Sequence, residues 1–243
     1  MSFGNICVVG CGRTGSTLLF SLLDQMPHVR TTRPKEFLNL RGTVPDRYST
    51  SQFAALADFA INNTHFTLFT HVKIHSLNLQ VDNRCVTFEE ILTHIEAAGF
   101  SSFVHLRRRN SLRLWISIVR GWLGERHVIF NRGHLSLEQL KFASRVDPVQ
   151  CIAFIEQLEY ATNEIERRLL SRRHIDLVYE DHLAEDPCRA LVQLKKIENF
   201  DIPSNLEITY NVTNPWQMRE CIENFDQIKE ALGTTKYAWM LEE

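Results

Sequence analysis

Apolar runs rich in β-branched residues alternate along this chain with stretches whose apolar positions recur every three to four residues. Asn5–Gly10 reads as a short, fully buried strand, and a helix follows from about Thr14 to Gln25, stopped by Pro27. FTLFTHVKIH, Phe66–His75, reads as a second strand. TFEEILTHIEAAGF then predicts a helix with Thr87 as N-cap, Glu90 completing a capping box and Gly99 ending it. Phe103–Leu106 predicts a third strand, running into a helix from about Asn110 to Arg120. Asp147 and Pro148 mark the N-cap and first position of a long amphipathic helix. HIDLVYED follows as a fourth strand, and Asp186-Pro187 repeats the same helix start. The tail from Asp201, with Pro203 and Pro215, is less regular until a helical pattern around Trp216–Leu232. Strands separated by helices pair in parallel through crossovers. The expected fold is therefore α/β, with a central, mostly parallel sheet flanked by helices and ligands at the carboxyl ends of its strands.

Composition narrows this little. With 243 residues, 44% hydrophobic and 23% charged, the chain is long enough for one core, and a single domain over 1–243 is expected, its segment 201–243 covering the ligand site. A formal charge of −2 gives no global attraction to nucleic acid or anionic membrane, so anion recognition has to be local. Six cysteines without C-x-x-C spacing, and no H-E-x-x-H, imply a reducing compartment and no metal site. A first strand beginning at Asn5 leaves no room for a signal peptide, and no apolar run approaches the ~18–20 residues of a membrane span. A cytoplasmic protein is expected.

The candidate chemistry begins at ICVVGCGRTGSTLL, Ile6–Leu19. Glycines at a strand-to-helix turn let the backbone approach a ligand, and the helix that follows aims its N–H groups and positive dipole end at an anion. The spacing fits G-x-G-x-x-G through Gly10, Gly12 and Gly15, but a dinucleotide site needs an acid ~20 residues on, at the end of a second strand. HVRTTRP stands there, basic and broken by prolines, with neither acid nor strand. A P-loop for nucleoside triphosphates needs Gly-Lys-Ser/Thr, whereas this loop reads Gly15-Ser16-Thr17 with its cation, Arg13, before the glycine. A second anion site is predicted at FVHLRRRNSLRLWIS, where a strand ends in Arg107-Arg108-Arg109. Eight helical residues bring Ser117 within ~80° of the face of Arg109, so both can converge on one phosphate.

GRTGSTLL resembles the 5′-phosphosulfate loop of the sulfotransferases, and Arg109 with Ser117 is similar to their 3′-phosphate motif. VYEDHLAEDP resembles their Y-E-D-x-x-x-D-P segment. The resemblance implies a three-layer, P-loop-like domain that moves a sulfuryl group from 3′-phosphoadenosine 5′-phosphosulfate (PAPS) to a hydroxyl or amine of a small molecule or carbohydrate, without metal. It implies that Arg13, Thr14, Gly15, Ser16 and Thr17 hold the phosphosulfate, that Arg109 and Ser117 hold the 3′-phosphate, and that Tyr179 lies near the adenine. Arg13 and Lys73 supply positive charge to the reacting oxygens. Two bases stay open: Glu36, in a segment similar to P-x-E-[FY], and His75, in K-x-H. A histidine at ~6.5 needs little tuning, whereas a glutamate at ~4.3 must be raised by burial. The loop has a leucine, Leu18, where cytosolic members carry an adenine-stacking tryptophan. Trp115, Trp122 and Phe130 frame a segment that covers the acceptor or packs the core. The alternatives are a phosphotransferase with a degenerate loop, or a nucleotide-binding module without activity.

Overall fold

The computed structural model describes residues 4–32, 46–74, 77–122, 145–208 and 217–242. The chain divides into two compact units, residues 1–109 with 160–210, and 110–159 with 211–243.

The first unit is built on a parallel sheet of β1 (Asn5–Gly10), β2 (Val29–Thr31), β4 (Thr67–Lys73), β7 (Ser102–Arg107) and β8 (Arg173–Val178), in the order β2-β4-β1-β7-β8. Counting only these strands along the chain, the order is 2-3-1-4-5. The neighbours of β1 are β4 and β7, paired from Asn5↔Leu68 to Gly10↔Lys73 and from Ile6↔Ser102 to Val9↔His105. β1 and β4 are buried almost along their whole length, because helices cover both faces and each strand must be apolar on both.

The face carrying Ile6, Val8, Phe69, Val104 and Leu177 packs on α1 (Ser16–Leu23) and α7 (Cys188–Leu194), through Leu19, Leu22, Leu23, Ala190, Leu191 and Leu194. The face carrying Cys7, Val9, Leu68, Val72 and Phe103 packs on α2 (Thr50–Ile61), α3 (Phe88–Ala97) and Ile165 and Leu169 of α5 (Pro148–Leu169). The unit thus has the three layers expected. Alternate residues of one strand face opposite layers, so a single strand serves both cores.

The helix ends follow from local chemistry. The Thr87 hydroxyl accepts the Glu90 N–H and the Glu90 carboxylate accepts the Thr87 N–H, closing the expected capping box. Gly99, at φ 92°, ends the same segment in the left-handed region. Asp147 caps α5, its carboxylate accepting the Val149 and Gln150 N–H groups at 2.9 and 3.2 Å. α2 starts at Ser49 with a capping box of its own to Gln52.

Two features depart from the sequence reading. A three-residue strand, β2, does exist in HVRTTRP, held beside β4 by Val29↔Thr67 to Thr31↔Phe69. It is too short to show a period in the sequence, and pairing alone makes it a strand. A second small sheet joins β3 (Asp46–Tyr48), β5 (Leu79–Val81) and β6 (Arg84–Val86), again of three residues each.

The second unit holds α4 (Ser111–Trp122), the first half of α5, α8 (Met218–Cys221), α9 (Phe225–Gly233) and a 3₁₀ turn (Ala238–Leu241). Leu112, Trp115, Ile116, Cys151, Ile155, Ile228, Leu232 and Met240 form its core. Trp115 packs its ring on Phe154, 4.5 Å between centroids, so this tryptophan is core. No helix among the described residues is long and apolar enough to cross a membrane. None of the six cysteines forms a disulfide.

Candidate anion site at the strand ends

β1 ends at Gly10, and its position there demands glycine: a Cβ would stand 2.1 Å from the Leu106 carbonyl oxygen of β7. The close approach lets the chain turn sharply into Cys11–Gly15. Arg13 has φ 71° and Gly15 φ 92°, both left-handed, and Gly15 is the N-cap of α1. A non-glycine residue such as Arg13 adopts that region at a cost of about 1–3 kcal/mol, so surrounding structure has to hold it. Part of that structure is Thr14, 1% exposed, whose hydroxyl donates to the Cys11 carbonyl at 2.8 Å. The Thr14 side chain therefore braces the loop; what remains for a ligand at this position is its backbone.

The start of α1 is chemically suited to an anion. Its cap is a glycine with no side chain to bond the first-turn N–H groups, and that turn contains no acidic residue. Ser16 is buried and Thr17 exposed. Lys73, the last residue of β4, is level with Gly10 in the sheet, and the next residue, Ile74, donates its N–H to the Gly10 carbonyl at 3.0 Å. Arg13 and Lys73 thus leave adjacent parallel strands at the same end.

The other strand end of this unit is a set of matched charges. Arg107 stands 3.5 Å from Glu166, Arg108 3.5 Å from Glu180, and Arg109 is bonded to Asp181. The Glu180 carboxylate also accepts the Arg109 backbone N–H at 2.8 Å. Glu180 and Asp181 lie in α6 (Tyr179–His182), which directly follows β8, whose Val178 is paired with Arg107, so two neighbouring strands end in opposite charges. Arg108 is the most enclosed of the three arginines, its side chain 8% exposed, with the guanidinium 4.6 Å from the centroid of Tyr179. The same tyrosine touches the first loop: a Cβ on Gly15 would lie 2.7 Å from its Cδ2. Gly15, Tyr179 and Arg108 form one stack, linking the loop after β1 to the end of β7.

Of the residues singled out in the sequence, Arg13, Thr14, Gly15, Ser16, Thr17, Lys73, Arg109 and Tyr179 belong to this unit and cluster at the carboxyl ends of its strands. Ser117 belongs to the second unit, in α4, with its side chain buried at 2% exposure. Glu36 and His75 lie outside the described residues, as does Phe130. The sequence reading missed Arg108, Glu180 and Asp181 as a charge system. The signal was present: RRR and YED each follow a strand, and those strands are parallel neighbours.

The chain is similar in structure to a sulfotransferase from Alicyclobacillus acidocaldarius, with a TM-score of 0.49 and 14% identity, covering 99% of this chain and 96% of that one. No protein-family model matches the chain, and no curated protein matches it.

Proposed function

We propose that this protein is a sulfotransferase that uses 3′-phosphoadenosine 5′-phosphosulfate as donor and a small molecule or carbohydrate as acceptor. The observation that carries the reading is the loop after β1: a left-handed arginine, a glycine cap and an acid-free first helical turn, beside Lys73 of the neighbouring strand. The strand order supports it against the dinucleotide reading. In that fold β2 lies beside β1, whereas here β4 separates them.

In the proposed reaction the acceptor hydroxyl or amine attacks the sulfur in line with the bond to the 5′-phosphate. That sulfur–oxygen bond breaks, and adenosine 3′,5′-bisphosphate leaves with the electron pair. The transition state spreads negative charge over the sulfuryl and leaving oxygens, by analogy with phosphoryl transfer, and preorganised donors stabilise it. Backbone N–H groups of Gly15, Ser16 and Thr17 at the start of α1, with Arg13 and Lys73, are assigned that role. The acceptor proton passes to Glu36 or His75. Arg109 is assigned to the 3′-phosphate and Tyr179 to the adenosine. The chemistry as written requires no metal.

The test is thermal unfolding with ligand. Adenosine 3′,5′-bisphosphate at 100 times its dissociation constant adds about 2.7 kcal/mol and raises the melting temperature by several degrees, without metal. ATP with Mg²⁺ should do little, and the reverse ranking would favour the phosphotransferase. Turnover is then followed with labelled donor and a metabolite extract. Glu36→Gln and His75→Ala assign the base, since one of them should abolish transfer while leaving bisphosphate affinity unchanged.

A further inference from the structure

His105, Asp176 and Glu166 come from three different elements, β7, β8 and α5, and meet on the sheet face that α5 covers. His105 and Asp176 are register partners in adjacent parallel strands, so their side chains project to the same face. The His105 Nδ1 and an Asp176 carboxylate oxygen are 3.2 Å apart, and one ligand atom from each of the three residues lies within 4.8 Å of the others. The imidazole is enclosed, its side chain 2% exposed, while Asp176 and Glu166 remain open to solvent on one side, at 44% and 40%.

We infer that these three residues form a binding site for one divalent transition-metal ion of the zinc type. Imidazole and carboxylates are the ligands such ions prefer, and ligands ~2.0–2.1 Å from zinc stand about 3.3 Å apart along a tetrahedral edge. The His105–Asp176 separation already has that length. Glu166, with 40% of its side chain exposed, needs a side-chain rotation to complete three ligands. Its ion-pair partner Arg107 stands 3.5 Å away, and the buried Arg107 Nε has no hydrogen-bond acceptor among the described residues. Two carboxylates and a neutral imidazole outweigh the single arginine, leaving the site formally −1. With Asp176 and Glu166 bound, Arg107 orients the outer oxygen of Glu166, as second-layer groups do at metal sites. The fourth position faces solvent and takes water.

The ion would pin β8, at the edge of the sheet, to α5. That role is independent of the proposed transfer reaction, which needs no metal. No sequence spacing announces the site, because its ligands are 61 and 10 residues apart along the chain at positions 105, 166 and 176.

Full-length, untagged protein stripped with chelator is titrated with ZnCl₂ in a calorimeter and with CoCl₂ by visible absorption. The expected result is one equivalent bound, a d–d band of four-coordinate intensity without thiolate charge transfer, and a higher melting temperature that chelator reverses. Asp176→Asn and Glu166→Gln, each checked by circular dichroism, should weaken binding at least ~10-fold. Lack of binding overturns the inference. So does a thiolate band, or affinity unchanged in both variants, because the metal would then be held elsewhere.

Discussion

At the end of β1 the chain makes its turn with backbone, using a glycine that no Cβ could replace, two left-handed residues and a buried threonine hydroxyl. At the end of β7 it uses side chains, three successive arginines each matched to an acid from another element. The difference concerns preorganisation. A backbone-built turn holds its N–H groups in place before any anion arrives. A charge-paired end holds its arginines in place too, but an incoming phosphate must replace a carboxylate. The first end is therefore vulnerable to small steric changes, and the second to changes of charge, pH and salt.

The largest effect is expected at the first end. Gly10→Ala puts a methyl group into the Leu106 carbonyl, where only the parting of β1 and β7 can relieve it, and should cost about 3 kcal/mol or more in urea unfolding. Stability within 0.5 kcal/mol of the parent, the usual range of ~0.5 for neutral surface changes, would break the claim that backbone proximity defines this turn. Gly15→Ala combines a left-handed φ with a contact on Tyr179 and should cost about 1–3 kcal/mol. If bisphosphate affinity falls by more than the stability loss explains, the cap is also part of the anion site.

At the second end the expected effects are on binding. Arg109→Ala should weaken adenosine 3′,5′-bisphosphate by roughly 10- to 100-fold, the range for hydrogen bonds to a charged group. Unchanged affinity in calorimetry would remove Arg109 from the phosphate. Asp181→Asn removes the competing carboxylate and should tighten the same ligand a few-fold, most clearly at low salt. The two substitutions have opposite signs only if the ion pair competes with the ligand.

The smallest expected effect is on the charged face of α5. Hydrogen bonds from Arg167 and Arg168 hold the Glu164 carboxyl at about 2, below its ordinary value of 4.5. A carboxyl lowered in the folded state contributes stability that is complete above the unfolded value. That contribution is lost as pH falls from about 4.5 towards about 2. Glu164→Gln should flatten that limb of the stability profile by lowering the neutral plateau slightly, and leave stability below about pH 2 nearly unchanged. Gly10→Ala should be as destabilising at pH 4 as at pH 7, which separates the two kinds of construction.

Much of this architecture was legible because it is local. Thr87 with Glu90, and Asp147 before Pro148, announce helix starts through hydrogen bonds that span two or three residues. β1, β4 and β7 announce themselves as apolar runs, since a strand covered on both faces cannot alternate, while the edge strand β8 is marked by Ile175, Leu177 and Val178 alone. The three-residue strands β2, β3, β5 and β6 were not legible, because so short a run carries no period and becomes a strand only through its neighbour. Of the candidate site, GRTGSTLL carried its own signal, while the partners of Arg107, Arg108 and Arg109 did not, being Glu166, Glu180 and Asp181 in segments far along the chain.

The sequence by itself determined the α/β class, the helix caps and a glycine turn fit for an anion, because each depends on dihedral preferences and hydrogen bonds among near neighbours. Only the tertiary structure decided that β4 separates β2 from β1, that Tyr179 joins Gly15 to Arg108, and that His105, Glu166 and Asp176 meet. These are contacts between distant segments, and their formation depends on which faces the packed layers bury together, a property of the assembled sheet that no single stretch of chain contains.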